Sequence, residues 1–578
     1  MREISKNFLE RLKANYKPLI YLLLSSNSQA RIFGKEKPEL AGGSLFWDGS
    51  WLVGDGADGL IQGISSTGAR VVSFGQLRLK AAFSAQDLIG SLQQNEIQSL
   101  IYTLDNTDAY FSDILSGDIG DSFLQNTASL ILGFSGLSKG EYITLDNGIV
   151  SQEHLAREHV RIVSDSTTRT LYENYTPVTA GIYSDPGDEA SFLPIVYGDC
   201  TENTGERGVV FCPLIDVATK KYCLAGHAIY SIGLSSFLEV YDDTGNISNK
   251  VSSIVSDSPY QEQLSISYIQ ISGSYDPVGN VTAKFRGKAS SGNPAATYYT
   301  NPVDVVQDFL SFVGDATPQN ATSFSKARQF ADDQGYECAG FIVSENTPFF
   351  TINDILSSFL GRAYLNSIGE LVIDFEQDLS RVYETAGTIR ESGIMSVSGS
   401  RNRKNIINQV IVNYALTGDK KDRRYKRDVL SNFLVSDDGE STKDTESQAL
   451  YGVRNKTLDL NWVRKTANVA QIQEYIVEEY KKPTWIMNIQ EQDMKNVAVE
   501  PNDYVLFSWQ KRYDEDGERL KNQIGKVVSV GYGLNDYTMQ YEIKDTGKFL
   551  LSEPLLWDGS WGIGDGTETG RTRDRGDY

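Results

Sequence analysis

Two stretches of the chain share a decapeptide whose residue types could do chemistry. Trp47-Asp48-Gly49-Ser50-Trp51-Leu52-Val53-Gly54-Asp55-Gly56 recurs near the other end as Trp557-Asp558-Gly559-Ser560-Trp561-Gly562-Ile563-Gly564-Asp565-Gly566, with only the sixth and seventh positions changed. Tryptophans flanking carboxylates could form a small platform for a sugar, or offer oxygens to Ca²⁺. Neither copy has the regular oxygen spacing of a calcium loop. The favoured reading is a pair of β-hairpins whose Trp47, Trp51, Trp557 and Trp561 pack on another subunit, with glycines that permit positive φ in the turns.

The other reactive groupings resolve to plainer roles. Cys200, Cys212, Cys223 and His227 supply three sulfurs and a nitrogen, but lack the closely paired cysteines of a structural zinc knuckle. They read as buried small hydrophobes and a strand or turn histidine. Gly136-Leu137-Ser138-Lys139-Gly140 spells a nucleophile elbow without the strand and helix that should flank it. The Asp514–Gly517 turn has Arg512 where a calcium loop would need its first carboxylate. No Walker loop, dinucleotide fingerprint or zinc-protease helix occurs, so no catalytic, cofactor or metal residue is nominated. One basic island runs from Arg401, Arg403 and Lys404 through Lys420, Lys421, Arg423, Arg424, Lys426 and Arg427. It could touch DNA or an acidic neighbour, and Arg423, Arg424 and Arg427 are taken as subunit-contact candidates beside the four tryptophans.

The whole chain favours the neighbour. Its 578 residues carry a net charge of −22, which opposes clamping nucleic acid but suits a wall past which phosphate slides. With 31 Tyr, 24 Phe, 7 Trp and 51 Gly, the composition favours a β-rich protein of several domains. Four cysteines make no disulfide framework, and a reducing compartment is expected. No apolar run approaches the length of a membrane helix; Leu19–Leu24 (LIYLLL) reads as a buried strand.

The element that the rest must position is TINDILSSFLGRAYLNSIGELVIDF, residues 351–375. Thr351 and Asp354 have capping-box spacing; Ile352, Ile355, Leu356 and Phe359 form one helix face, and Gly361 can end the helix. Two strands, 363–365 and 371–375, follow, with Leu371, Ile373 and Phe375 facing in and Asp374 facing the other way. Asn301-Pro302 opens a helix ahead of this unit that Gly314 stops, and 325–334 forms another. After it come a strand at 405–416, a helix carrying Val469, Ile472, Ile476 and Tyr480, and four strands between 485 and 543. The expected fold is mainly β with α+β insertions: a β-rich domain (1–165), a linker (166–186), a β-barrel or sandwich (187–295), a helix–hairpin domain (296–400), a second β-rich domain with a helix (401–550) and a tail (551–578).

Several of these segments are similar to one family. The helix running into GRAYLNSIGELVIDF resembles the middle of phage tail baseplate-hub and tail-tip proteins. So does the order NQVIVNY, SQALYG, helix, Pro483, strand, PNDYVLF between 408 and 507. The resemblance covers roughly 190–550. It implies a non-enzymatic structural protein of the virion tail, assembled in the bacterial host cytoplasm. It further implies β-barrel hub domains, a homotrimer below the tail tube, and contacts with the tube or distal tail protein, the tape-measure protein and tail-fibre or receptor-binding proteins. DNA would pass without specific binding, and no stable membrane insertion is expected. The alternative is a carbohydrate-binding adhesin or a polysaccharide-degrading tail enzyme built on the WDGSW patches.

Overall fold

The computed structural model describes residues 6–13, 19–25, 30–34, 64–69, 71–74, 77–80, 100–107, 110–115, 122–134, 142–166, 171, 175, 191–201, 208–231, 233–260, 264–290, 297–366, 369–376, 385–401, 403–418, 431–435, 443–492, 494–513 and 519–549. Strands dominate, gathered into several sheets with helices set between them, which is the mainly β, multi-domain architecture expected.

Near the N-terminus, Leu19–Ser25 lies inside an eight-stranded sheet, between Ala30–Gly34 and Thr127–Gly133. Leu22, Leu23 and Leu24 are all buried, as a central strand covered on both faces requires. The Lys6–Lys13 helix is pinned by Phe8, whose ring meets Phe134 edge-on at 4.8 Å. A second region, 193–285, builds two four-stranded sheets around Val209, Leu224, Ile269 and Phe285.

Asn301 caps the Pro302–Val313 helix by accepting from the Val303 N–H, and Gly314 ends it in the left-handed region. The central helix departs from its expected start. It spans Pro348–Ser357 with Thr347 as its cap, so Thr351 lies a full turn inside. Nor does Gly361 stop it. The chain turns at Ser358–Leu360, Leu360 taking φ 57°, and Gly361 opens the Gly361–Leu365 strand. A Cβ on Gly361 would stand 2.7 Å from the Phe375 ring, so its role is close approach across the hairpin. That hairpin pairs Gly361 with Phe375 and Leu365 with Leu371.

One apolar core joins these helices and the hairpin to the Gln409–Gly418 and Asn455–Leu460 strands and the Thr466–Tyr480 helix. The last sheet runs Thr385–Ile389, Tyr504–Tyr513, Arg519–Gly533, Thr538–Phe549, Trp485–Gln492, Ile394–Arg401. Leu77–Lys80 from the N-terminal region adds to it, pairing Leu77 with Tyr532 and Lys80 with Ser529. The apolar cluster of the first sheet is accordingly continuous with that of the last.

Candidate assembly interface

Trp47, Trp51, Trp557, Trp561, Arg423, Arg424 and Arg427 lie outside the described residues, as does Gly136–Gly140. Arg401, Arg403 and Lys404 are described, and all three are exposed at the end of the Ile394–Arg401 strand.

The sulfur-rich region is packed interior. Cys200, Cys212 and Cys223 are fully buried and unbridged, and burial pushes the Cys212 and Cys223 thiols well up from their ordinary value. Among the described residues, no group of three or more His, Cys, Asp or Glu is placed to hold a metal. His227 Nε2 accepts the Val196 N–H at 2.9 Å, which leaves the ring hydrogen on Nδ1, 3.0 Å from the Ala228 carbonyl. Burial lowers its pKa to about 4, so the ring is neutral and serves as a fixed acceptor. Close by, Asp308 accepts from Tyr197 Oη and Lys288 Nζ, both at 2.6 Å, tying this β region to the 302–313 helix.

Among the described residues, a cluster of buried charge lies where the helix–hairpin unit meets the last sheet. Asp374 is buried, contrary to the outward placement its alternation suggests, because the second face of the hairpin is also covered. It stands 3.6 Å from Arg362, its cross-strand partner. One residue past the strand, Glu376 Oε2 accepts from Lys526 Nζ at 2.6 Å. Lys544 Nζ contacts Glu479 at 2.6 Å and sits over the Tyr480 ring, while Tyr475 Oη donates to the Glu376 carbonyl. Burial pushes the Glu376 pKa up, but Lys526, Lys544 and Arg362 outweigh it and hold the carboxyl below its ordinary value. For Lys544, burial acts downward and the Glu479 carboxylate more than reverses it.

These groups neutralise one another out of solvent, which makes the cluster a joint between segments distant in the chain. Periodicity missed it. The signal that could have found it is the hairpin register, which sets Arg362 opposite Asp374.

A separate contact ties the same unit to the turn after the Asn455–Leu460 strand. Asp354, on the central helix, accepts from Asn461 Nδ2 at 2.7 Å and from Trp462 Nε1 at 3.0 Å.

No protein-family model and no curated protein sequence matches the chain. Among solved structures it is similar to the tail protein from Neisseria meningitidis, at 9% identity and TM-score 0.35, over 83% of this chain and 95% of that one. It is similar also to the 43 kDa tail protein of prophage MuSo2 from Shewanella oneidensis, at 8% identity and TM-score 0.33, over 82% and 98%. A prophage tail protein from Listeria monocytogenes matches at 12% identity and TM-score 0.21, over 61% and 94%.

Proposed function

We propose that this chain is a structural, non-catalytic subunit of a phage tail tip or baseplate, a hub that closes the tail tube and joins it to the host-recognition apparatus. One observation carries the reading. The segments whose order resembles hub proteins, the helix–hairpin unit and the NQVIVNY-to-PNDYVLF series, pack against one another through a shared core and through Tyr475 Oη on the Glu376 carbonyl. A part that transmits load between a tube and its tip needs such internal rigidity.

In this reading the hub is a homotrimer of the virion tail, closed by heterologous contacts around the axis. Two β-rich blocks, near 190–290 and 400–550, would present a pseudo-sixfold face to the tube, with the helix–hairpin unit between them. Trp47, Trp51, Trp557, Trp561, Arg423, Arg424 and Arg427 would face neighbouring subunits: another copy, the tube or distal tail protein, the tape-measure protein, or fibre and receptor-binding proteins. DNA would pass without specific binding.

Symmetry-free reconstruction of the tail tip from particles carrying an epitope-tagged chain tests this. Three tagged copies at the tip support it; one or six copies defeat the trimer, and absence from the tail defeats the function. Binding on a glycan array or hydrolysis of host polysaccharide would favour the adhesin or enzyme instead.

A further inference from the structure

The outer edge of the Ile394–Arg401 strand is open among the described residues. Among the described residues this strand pairs only with Trp485–Gln492, and it ends the last sheet. From Met395 to Arg401 every residue except Val397 is exposed, Met395 at 57%. An exposed edge offers a row of N–H and C=O groups to any extended chain, and proteins usually blunt it with charge, proline, bulges or brevity.

Two other edges among the described residues are blunted. Val251–Tyr260 carries Asp257 and Pro259 and slips register twice. Thr385–Ile389 has five residues and an interrupted register. In Ile394–Arg401 the irregularity is confined to Ile394/Ser396, and pairing from Ser396 to Arg401 is regular. No charge or proline interrupts residues 394–400.

Charge is concentrated at one end. Arg401, whose guanidinium stacks 4.7 Å above Trp485, is followed by exposed Arg403 and Lys404. Lys482, also exposed, lies on the chain leading into Trp485, the cross-strand partner of Arg401. These cations stand out on a chain of net charge −22. A nucleic acid would meet the cations but could not satisfy the backbone row, and the remaining charge would repel it.

We propose that this edge docks an extended strand of another polypeptide, paired backbone to backbone, whose flank carries carboxylates that meet Arg401, Arg403 and Lys404. The inference needs an assembly but no particular one, so a tail-tip image that defeats the hub leaves this test standing.

The test uses the full chain and a fluorescent peptide of alternating Thr and Val preceded by three Asp, read by anisotropy. Saturable binding is expected, with weaker binding when Lys replaces the Asp flank. The Arg403→Glu/Lys404→Glu double variant alters only exposed side chains; it should keep its melting temperature and bind about tenfold less tightly. Adjacent strand residues aim their N–H groups at opposite edges, so one of Val397→Pro and Ser398→Pro removes an outward donor and should abolish binding. Equal affinity for the Asp and Lys peptides, binding unchanged in the charge-reversed and both proline variants, or preference for a single-stranded DNA oligomer would each overturn the proposal.

Discussion

Glu376 and Lys526, 150 residues apart in the chain, meet at 2.6 Å with side-chain exposures of 3% and 7%. Such a pair ties the end of the central hairpin to the middle of the last sheet. Removing one partner strands the other charge in the interior. Glu376→Leu or Lys526→Met should therefore cost about 3–5 kcal/mol in denaturant unfolding. The Glu376→Leu/Lys526→Met double variant should recover most of that loss; simple additivity of the single costs would contradict a coupled pair.

The same carboxyl sets an acid limit. Its folded-state pKa is depressed below the ordinary value of 4.5, so its contribution is present above that value and is lost as pH falls through the lower folded one. Melting temperature should drop below about pH 4 in the native chain, and Glu376→Gln should flatten that part of the curve.

His227 acts in a higher window. Its pKa falls from 6.5 to about 4 on folding, so the unfolded chain binds a proton that the folded chain refuses. Stability should decline between those values by about 3 kcal/mol. Gln at 227 keeps an acceptor for the Val196 N–H without titrating, and its melting curve should be level there. An unchanged slope would show that other groups govern the range.

Trp462 is held by more than packing, since its indole N–H donates to Asp354. Trp462→Phe removes the donor and Asp354→Ala the acceptor. A double-mutant cycle in urea should give a coupling of about 1 kcal/mol, with each single cost about 1–3 kcal/mol. Zero coupling would mean the bond contributes nothing net.

For the repeated decapeptide, Trp51→Ala and Trp561→Ala should each block particle assembly while the purified chain keeps its melting transition. If these are buried interface anchors, each truncation removes a few kcal/mol of contact. Normal particles that have lost a sugar ligand would point to the adhesin.

In the ring proposed above, the surface facing the axis should be net negative, and Arg423, Arg424 and Arg427 should face a neighbour. Cations on a channel wall would retain passing phosphate. A reconstruction with those arginines in the lumen would contradict it.

What the sequence made legible was local. Asn301-Pro302 and Gly314 mark their helix correctly, because capping and left-handed termination are decided within one turn. LIYLLL is a strand on all-apolar composition, and the strand expected at 405–416 from alternation forms, but over Gln409–Gly418. Thr351-x-x-Asp354 fits the capping-box spacing equally well, yet Asp354 is turned toward Asn461 and Trp462, partners that no local pattern reveals. Asp374 was legible as standing apart from Leu371, Ile373 and Phe375, but not as buried, because burial of the second face depends on Lys526 and its sheet. Periodicity reports which face is apolar; it does not report what covers the other one.

The Leu77–Lys80 strand has a consequence for biosynthesis. It leaves the ribosome long before its partner, Ser529–Tyr532. Until that partner emerges it must either wait unpaired or be held by a chaperone, and the sheet the two share cannot be completed before then. Closing so long a loop is slow, so maturation of this subunit should trail its synthesis. A truncated product would expose an unfilled sheet margin to whatever strand it met first.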